Sequence, residues 1–391
     1  MSIFNSFHLK LLPVLLVSFS LGCNTPENHN DNYTLVDNNA TQETRALYRN
    51  LMDLSGKHVL FGHQDAVAYG VGRRDNVNSF SDVKDITGAY PAVYGWDIGH
   101  IAYDNNVDSV PFDLMIKWIK EGYERGGVIT ISWHELSPRP HKPIWSREPS
   151  PALVLPGGAM HDEFRVRLNM VGDFFNQLRD SQGRPIPVIF RPWHEHNGDW
   201  FWWCKHNATE QEYIDLWRYT VHFLRDSLQI NHLLYAISPD RSRMATAHDP
   251  KDFLYGWPGD EYVDIIGLDN YWDVGASAIH GGATSRKEQD SLFILSLRTL
   301  VTLAEQKNKL PALTETGNNL VSESDWFTKR ILEPLKKDPI ASNISYFLVW
   351  RNVWHSHYFA PYPGHHAEAD FIKFYNDDLI LFEDGLPNLY Q

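Results

Sequence analysis

IPVIFRPWHE, residues 186–195, is an apolar run that closes on a polar cluster reaching from Arg191 to Glu195. A short, nearly continuous apolar run bounded by turn residues reads as a strand buried on both faces, the kind found in parallel sheets. Seven other stretches repeat the pattern: HVLFGHQ (58–64), PAVYGWDIG (91–99), GGVITISWHE (126–135), LLYAISPD (233–240), VDIIGLDNYW (263–272), LPALTETG (310–317) and ISYFLVWRN (344–352). Helical periodicity occupies 111–125, 162–180, 209–229, 286–309, 325–337 and 367–379 between them. Eight strand-and-helix units in one chain give the α/β class and predict a (β/α)8 TIM barrel, a single domain over residues 41–391. A doubly wound sheet is the alternative, but no glycine-rich phosphate loop follows the first strand.

The polar residues gather at one end of these runs: His63 and Gln64, Asp97, His134 and Glu135, His194 and Glu195, Asp240, Asp269, Glu315, Arg351. That end of a barrel is its active face, so eight clusters dispersed in the sequence become one ring in space. The proline-rich stretch 141–158 is expected to be a long loop over the cleft within that ring.

Composition narrows the partners. The 391 residues carry 35 Lys and Arg against 49 Asp and Glu, a formal charge of -14, and a surface of that sign repels polyanions, so nucleic acid is not an expected partner. The 14 Trp supply material for flat platforms on which sugar rings stack as well as for the core.

Residues 1–22 hold one Lys and an apolar run from Leu11 to Leu21, too short to span a bilayer and suited to a signal peptide. Gly22 before Cys23 resembles a bacterial lipoprotein processing site, which implies lipidation of Cys23 and export to the cell envelope of a Gram-negative bacterium, anchored in its outer membrane. Ser20 departs from that pattern, where Leu is usual. With Cys23 acylated, the other cysteine, Cys204, has no disulfide partner. Residues 23–40, polar, Asn-rich and without periodicity from Asn24 to Asn39, are expected to form a flexible tether. The membrane is then met through the lipid anchor only.

Two carboxylates dominate the ring, Glu195 closing the fourth run and Glu315 closing the seventh. Retaining hydrolysis of a glycosidic bond needs such a pair, one carboxylic acid to protonate the leaving oxygen and one carboxylate to attack the anomeric carbon. RPWHEHNGDWFWW (191–203), with LTETG (313–317), GLDNYW (267–272), FGHQ (61–64) and VWR (349–351), resembles glycoside hydrolase family 26, the β-mannanases. The resemblance covers the whole barrel in order. It implies that Glu195 is the acid/base and Glu315 the nucleophile. It further implies that His194 orients the nucleophile or the sugar, that Tyr271 hydrogen-bonds the nucleophile with Asp269 beside it, and that Trp350 floors the cleavage subsite. Arg351 would contact the next sugar toward the non-reducing end, while His134 and Trp200 line the cleft and Trp145 offers a further platform. The implied activity is endo-acting hydrolysis of β-1,4-mannan and manno-oligosaccharides by a monomer, with no cofactor and no metal. A β-glucanase or a mannobiose-releasing exo-enzyme of the same family, and a non-catalytic glycan-binding lipoprotein, are the rival readings.

Other features have plainer readings. His194 and His196, two apart on a strand, could share a metal ion, but the first run ends in Gly-His-Gln and lacks the paired histidines of a barrel metallohydrolase. Trp96, Trp118, Trp193 and Trp217 are expected to pack in the core, and Cys204 to be a buried thiol.

Overall fold

The computed structural model describes residues 33–391 except 76 and 284. The expected signal peptide, Cys23 and most of the expected tether lie outside the described residues.

Eight parallel strands close into a barrel: β1 Val59–Gln64, β2 Val93–Asp97, β3 Val128–Trp133, β4 Val188–Pro192, β5 Leu233–Ile237, β6 Ile265–Asn270, β7 Leu310–Thr316 and β8 Tyr346–Val349. Each pairs with its sequence neighbours, and β1 closes the ring by pairing with both β8 and β2. A short ninth strand, β9 (Ile380–Leu381), pairs with the first residues of β1. Every one of the eight runs is a strand, and each strand starts or stops short of the run that announces it. The trimmed residues at the carboxyl ends, such as His134 and Glu195, belong to the active-face loops.

Alternation along the strands sorts the side chains into two cores. Leu60, Val93, Val128, Ile189, Leu234, Ile265, Leu310 and Tyr346 fill the barrel interior, all of them fully buried. The outward set, with Phe61, Ile131, Phe190 and Phe347 among it, packs against the helices. Those helices run at Phe112–Glu124, His161–Gln177, Glu210–His222, Arg286–Lys307 and Glu368–Tyr375, near the periodic segments. The segments 209–229 and 325–337 each contain a π-helical turn, Phe223–Ser227 and Phe327–Leu332. Trp96, Trp118, Trp193 and Trp217 are buried in the core, as their packing role requires.

The lower mouth of the barrel is plugged from the amino-terminal side. The helix Gln42–Leu54 starts on Thr41, whose side chain accepts from the Thr44 amide, and it places Leu47, Tyr48 and Leu51 in the interior core. The expected tether ends earlier than residue 40. Leu35 and Val36 are buried, and the Val36 amide donates to Asp264 Oδ1 at 2.8 Å. Two apolar side chains among Asp and Asn are enough to dock this segment, because the open barrel end offers them apolar surface.

Candidate active site

Glu315 owes its direction to an irregularity in β7. From Gly267↔Ala312 to Asp269↔Glu315 the register shifts by one residue, and the same extra residue appears against β8, between Leu313 and Thr316. In a regular strand Ala312 and Thr314 would face inward and Leu313 and Glu315 outward. The bulge lets Thr314 and Glu315 both face the barrel axis, and re-aiming a side chain beside an active site is a common use of bulges. Thr314 Oγ1 donates to Asp269 Oδ1 at 2.7 Å. Glu315 accepts from Arg191 Nη2 at 2.5 Å and from the Tyr271 hydroxyl at 2.7 Å, one donor on each oxygen.

Arg191 lies inside the barrel, 3% exposed, because it continues the inward face of β4 two residues beyond Ile189. Its other nitrogen, Nη1, donates to Asp269 Oδ2 at 2.7 Å and to Ser238 Oγ at 3.0 Å. The guanidinium therefore holds two carboxylates in fixed positions with a planar fork that Lys could not supply. Asp269 is fully buried in this arrangement and serves the arginine, so the structure places it beneath Glu315 rather than on the cleft surface.

Glu195 stands beyond the end of β4, on a turn in which both Trp193 and Glu195 have φ of +52°. Trp200 Nε1 donates to Glu195 Oε2 at 2.6 Å. Gly198 makes that contact possible, since a Cβ there would lie 2.7 Å from the Trp200 ring. Burial, then the charges of Asp240, Glu315 and Asp269, push the Glu195 carboxyl well above the usual carboxylate range against the opposing pull of Arg191. Asp240 is itself pushed up to about 6 by burial, although Ser242 donates to it. The site thus pairs a carboxyl whose protonated form is favoured by burial and like charges with a second carboxyl that accepts from an arginine and a tyrosine.

A buried chain of three residues lines one side. Asp97 Oδ2 meets His134 Nδ1 at 2.7 Å, and His134 Nε2 meets His194 Nε2 at 3.1 Å. Burial alone would pull His134 down, but Asp97 outweighs it and the imidazole is raised, while burial and the His134 charge hold His194 well below its usual range. His194 meets His134 rather than Glu315, whose donors are Arg191 and Tyr271. His196 turns away to the Tyr255 carbonyl at 2.7 Å, so the two histidines share no face. The left-handed turn breaks the strand alternation that would have aligned them.

A model of the family described as Glycosyl hydrolase family 26 matches residues 36–319. The chain belongs to glycosyl hydrolase family 26. It is similar to a mannan endo-1,4-beta-mannosidase of Bifidobacterium adolescentis, 31% identical over 376 residues that cover 90% of this chain and 36% of that protein. Against a solved family 26 beta-mannanase from Bacteroides ovatus the TM-score is 0.81 at 37% identity, covering 90% of this chain and 98% of that one. Against the catalytic domain of a Bacillus family 26 endo-beta-1,4-mannanase it is 0.82 at 35% identity, covering 92% and 96%. The chain is a glycoside hydrolase, and it spans about a third of the length of the Bifidobacterium relative.

In this family 26 barrel Trp350 follows β8, partly exposed, with its ring 6.2 Å from that of His134. Arg351 pairs with Asp108 at 2.9 Å and donates to the Tyr69 hydroxyl at 3.2 Å, its side chain 20% exposed. Trp145 stands 58% exposed on the stretch 141–158, a loop interrupted by a single helical turn at Pro151–Val154, and nearby Arg147 pairs with Asp199 at 3.4 Å, next to Trp200. A cavity of about 410 Å³ opens beside Tyr271, lined also by Asp240, Arg243, Trp272 and His280. Arg191, Asp97, Ser238 and Asp108 take part in the site without having been assigned a role from sequence. Arg191 could have been found from the two-residue alternation of β4. The other three show their purpose only through partners that are distant in the chain.

Proposed function

We propose that the chain is a retaining, endo-acting β-1,4-mannanase that hydrolyses internal links of mannan, galactomannan and glucomannan through a glycosyl-enzyme intermediate. The observation that carries this reading is the difference between the two carboxyls: Glu315 accepts from Arg191 and Tyr271, whereas Glu195 is buried among like charges that keep its proton on. Glu315 attacks the anomeric carbon while Glu195 gives its proton to the leaving oxygen. Once Glu315 is glycosylated and neutral, one of the charges that held the Glu195 proton is gone, and Glu195 then takes a proton from water for the second step. Trp350 floors the cleavage subsite, and Arg351 reads hydroxyls of the next sugar. The names of the relatives, mannan endo-1,4-beta-mannosidases, support mannan as substrate.

The test uses mannan, glucomannan and mixed-linkage glucan, with product lengths followed by chromatography and the first anomer formed by NMR. A spread of manno-oligosaccharides of retained configuration is expected. Mannobiose alone points to exo action, activity on mixed-linkage glucan alone to a glucanase, and an inverted product removes the double displacement. Glu315→Ala should abolish turnover and regain part of it with azide on activated substrates, giving an inverted sugar azide.

We also propose that the protein is exported and held to the outer membrane by a lipid on Cys23. Cys23→Ala should then move it from the membrane fraction to the soluble one with catalysis intact.

A further inference from the structure

The peptide that carries Glu195 is held in an unfavourable conformation by residues that never reach the cleft. Trp193 and Glu195 both occupy the left-handed region, at φ +52°. Non-glycine residues avoid it because Cβ crowds the carbonyl oxygen, and two such residues within three persist only where the surroundings over-determine them.

Here every carbonyl from Trp193 to His196 is taken. The Tyr213 hydroxyl donates to the Trp193 carbonyl at 3.1 Å, and Trp203 Nε1 donates to the His194 carbonyl at 2.9 Å. The Glu195 carbonyl accepts from the Gly198 amide at 2.9 Å and from Cys204 Sγ at 3.2 Å, and the His196 carbonyl from the Lys205 amide at 2.7 Å. On the other side the Glu195 amide donates to the Ser238 carbonyl at 2.7 Å, tying the turn to the end of β5. Tyr213 sits on the helix Glu210–His222, 1% exposed, its ring stacked on His196 at 4.3 Å. Trp203 is fully buried and stacked on Phe201 at 4.5 Å.

We propose that Trp203 and Tyr213 are positioning residues for the acid/base: by fixing two carbonyls of this turn they aim the Glu195 carboxyl at the leaving oxygen. The proposal rests on the acid/base role of Glu195 given above. Without these donors the turn can relax out of the left-handed region, and the carboxyl then leaves Trp200 and the line of proton transfer. Both residues are too deeply buried to touch a sugar, so their effect must appear in the two steps in which Glu195 gives or takes a proton, and not in a glycosylation step whose leaving group needs none.

Trp203→Phe and Tyr213→Phe each keep a ring and remove one donor. On unactivated manno-oligosaccharides we expect kcat to fall about ten- to a hundredfold with KM within about twofold, since one lost hydrogen bond in a buried site reads on this scale. On an aryl manno-oligosaccharide with a good leaving group, which needs little protonation, the glycosylation burst should stay within about threefold of wild type. Added to Glu195→Gln, either change should cost no more than about twofold further, because both act through the same carboxyl. Tyr390→Phe, which removes a hydroxyl donor to the Gly127 carbonyl at 2.7 Å at the opposite end of the barrel, should leave the contrast between leaving groups unaltered. Equal loss in the glycosylation step of activated and unactivated substrates, full additivity with Glu195→Gln, or unchanged kcat in both single variants would overturn the proposal. Tyr213→Phe, which loses a single oxygen, keeps the test alive if Trp203→Phe does not fold. Wild-type protein inactive on every mannan would instead indict the proposed function.

Discussion

Arg191 is the residue on which the site converges, and it does so by being buried where a charge is costly. A charge inside a barrel is tolerated only when paired, and here two carboxylates and a serine surround it. Arg191→Met should leave Asp269 and Glu315 as uncompensated buried anions and cost about 3–5 kcal/mol of stability, measured by denaturant unfolding at neutral pH. Activity should fall with it, since Glu315 would lose the donor that fixes one of its oxygens. Glu195 makes the opposite trade. Its pKa is raised in the folded state, so the native protein binds more protons than the unfolded chain once the pH exceeds the ordinary carboxyl value, and stability declines as pH rises through that window. Glu195→Gln removes this penalty. Its Tm should exceed that of wild type by a margin that grows from acidic to mildly alkaline pH, and a margin that shrinks would show that the carboxyl is stabilised by its surroundings. The glutamates themselves were legible as strand-end carboxylates, but not their opposite electrostatics, because Asp240 and Arg191 stand 45 and 4 residues from Glu195 and only the closed ring brings them together.

At the scale of elements, the strands were legible and their ends were not. Runs buried on both faces announce themselves by composition, whereas the point where the ladder stops depends on turn geometry, as at Pro192, after which the chain turns left-handed. Likewise β9 is two residues long and the helix Gln42–Leu54 precedes the first strand, so neither belongs to the repeating pattern. The bulge in β7 left no mark that periodicity could detect. Its purpose is double: Glu315 reaches the axis while Thr314 keeps the inward place that satisfies Asp269. Thr314→Val preserves shape and removes that donor. It should cost about 1–3 kcal/mol in urea unfolding, the penalty of a buried acceptor left without its partner. A neutral result would mean that Asp269 is held by Arg191 and Ser238 alone.

For the whole molecule, the segment read as a tether has a structural share. A chain beginning at Thr41 lacks Leu35 and Val36 and leaves Asp264 without one of its donors. Burial of two such side chains is worth roughly 1.5–3 kcal/mol each, so its Tm should lie several degrees below that of a chain beginning at Tyr33, by calorimetry, with kcat unchanged at low temperature. The same end of the barrel receives the last residues. Tyr33 lies against Tyr48 with ring centroids 4.8 Å apart, Asn50 donates to the Leu389 carbonyl at 2.9 Å and Arg49 to that of Gln391 at 3.1 Å. Residues 33 and 391 therefore rest on one and the same helix. A ring of parallel units has no natural first member, and here the break in the ring is bridged by packing on both sides. A short linker joining 391 to 33, with new ends opened in a loop of the opposite face's periphery, should give a circularly permuted enzyme in which every strand keeps both neighbours. The splice would sit at the far end of every strand from Glu195 and Glu315, out of reach of a polysaccharide lying across the active face.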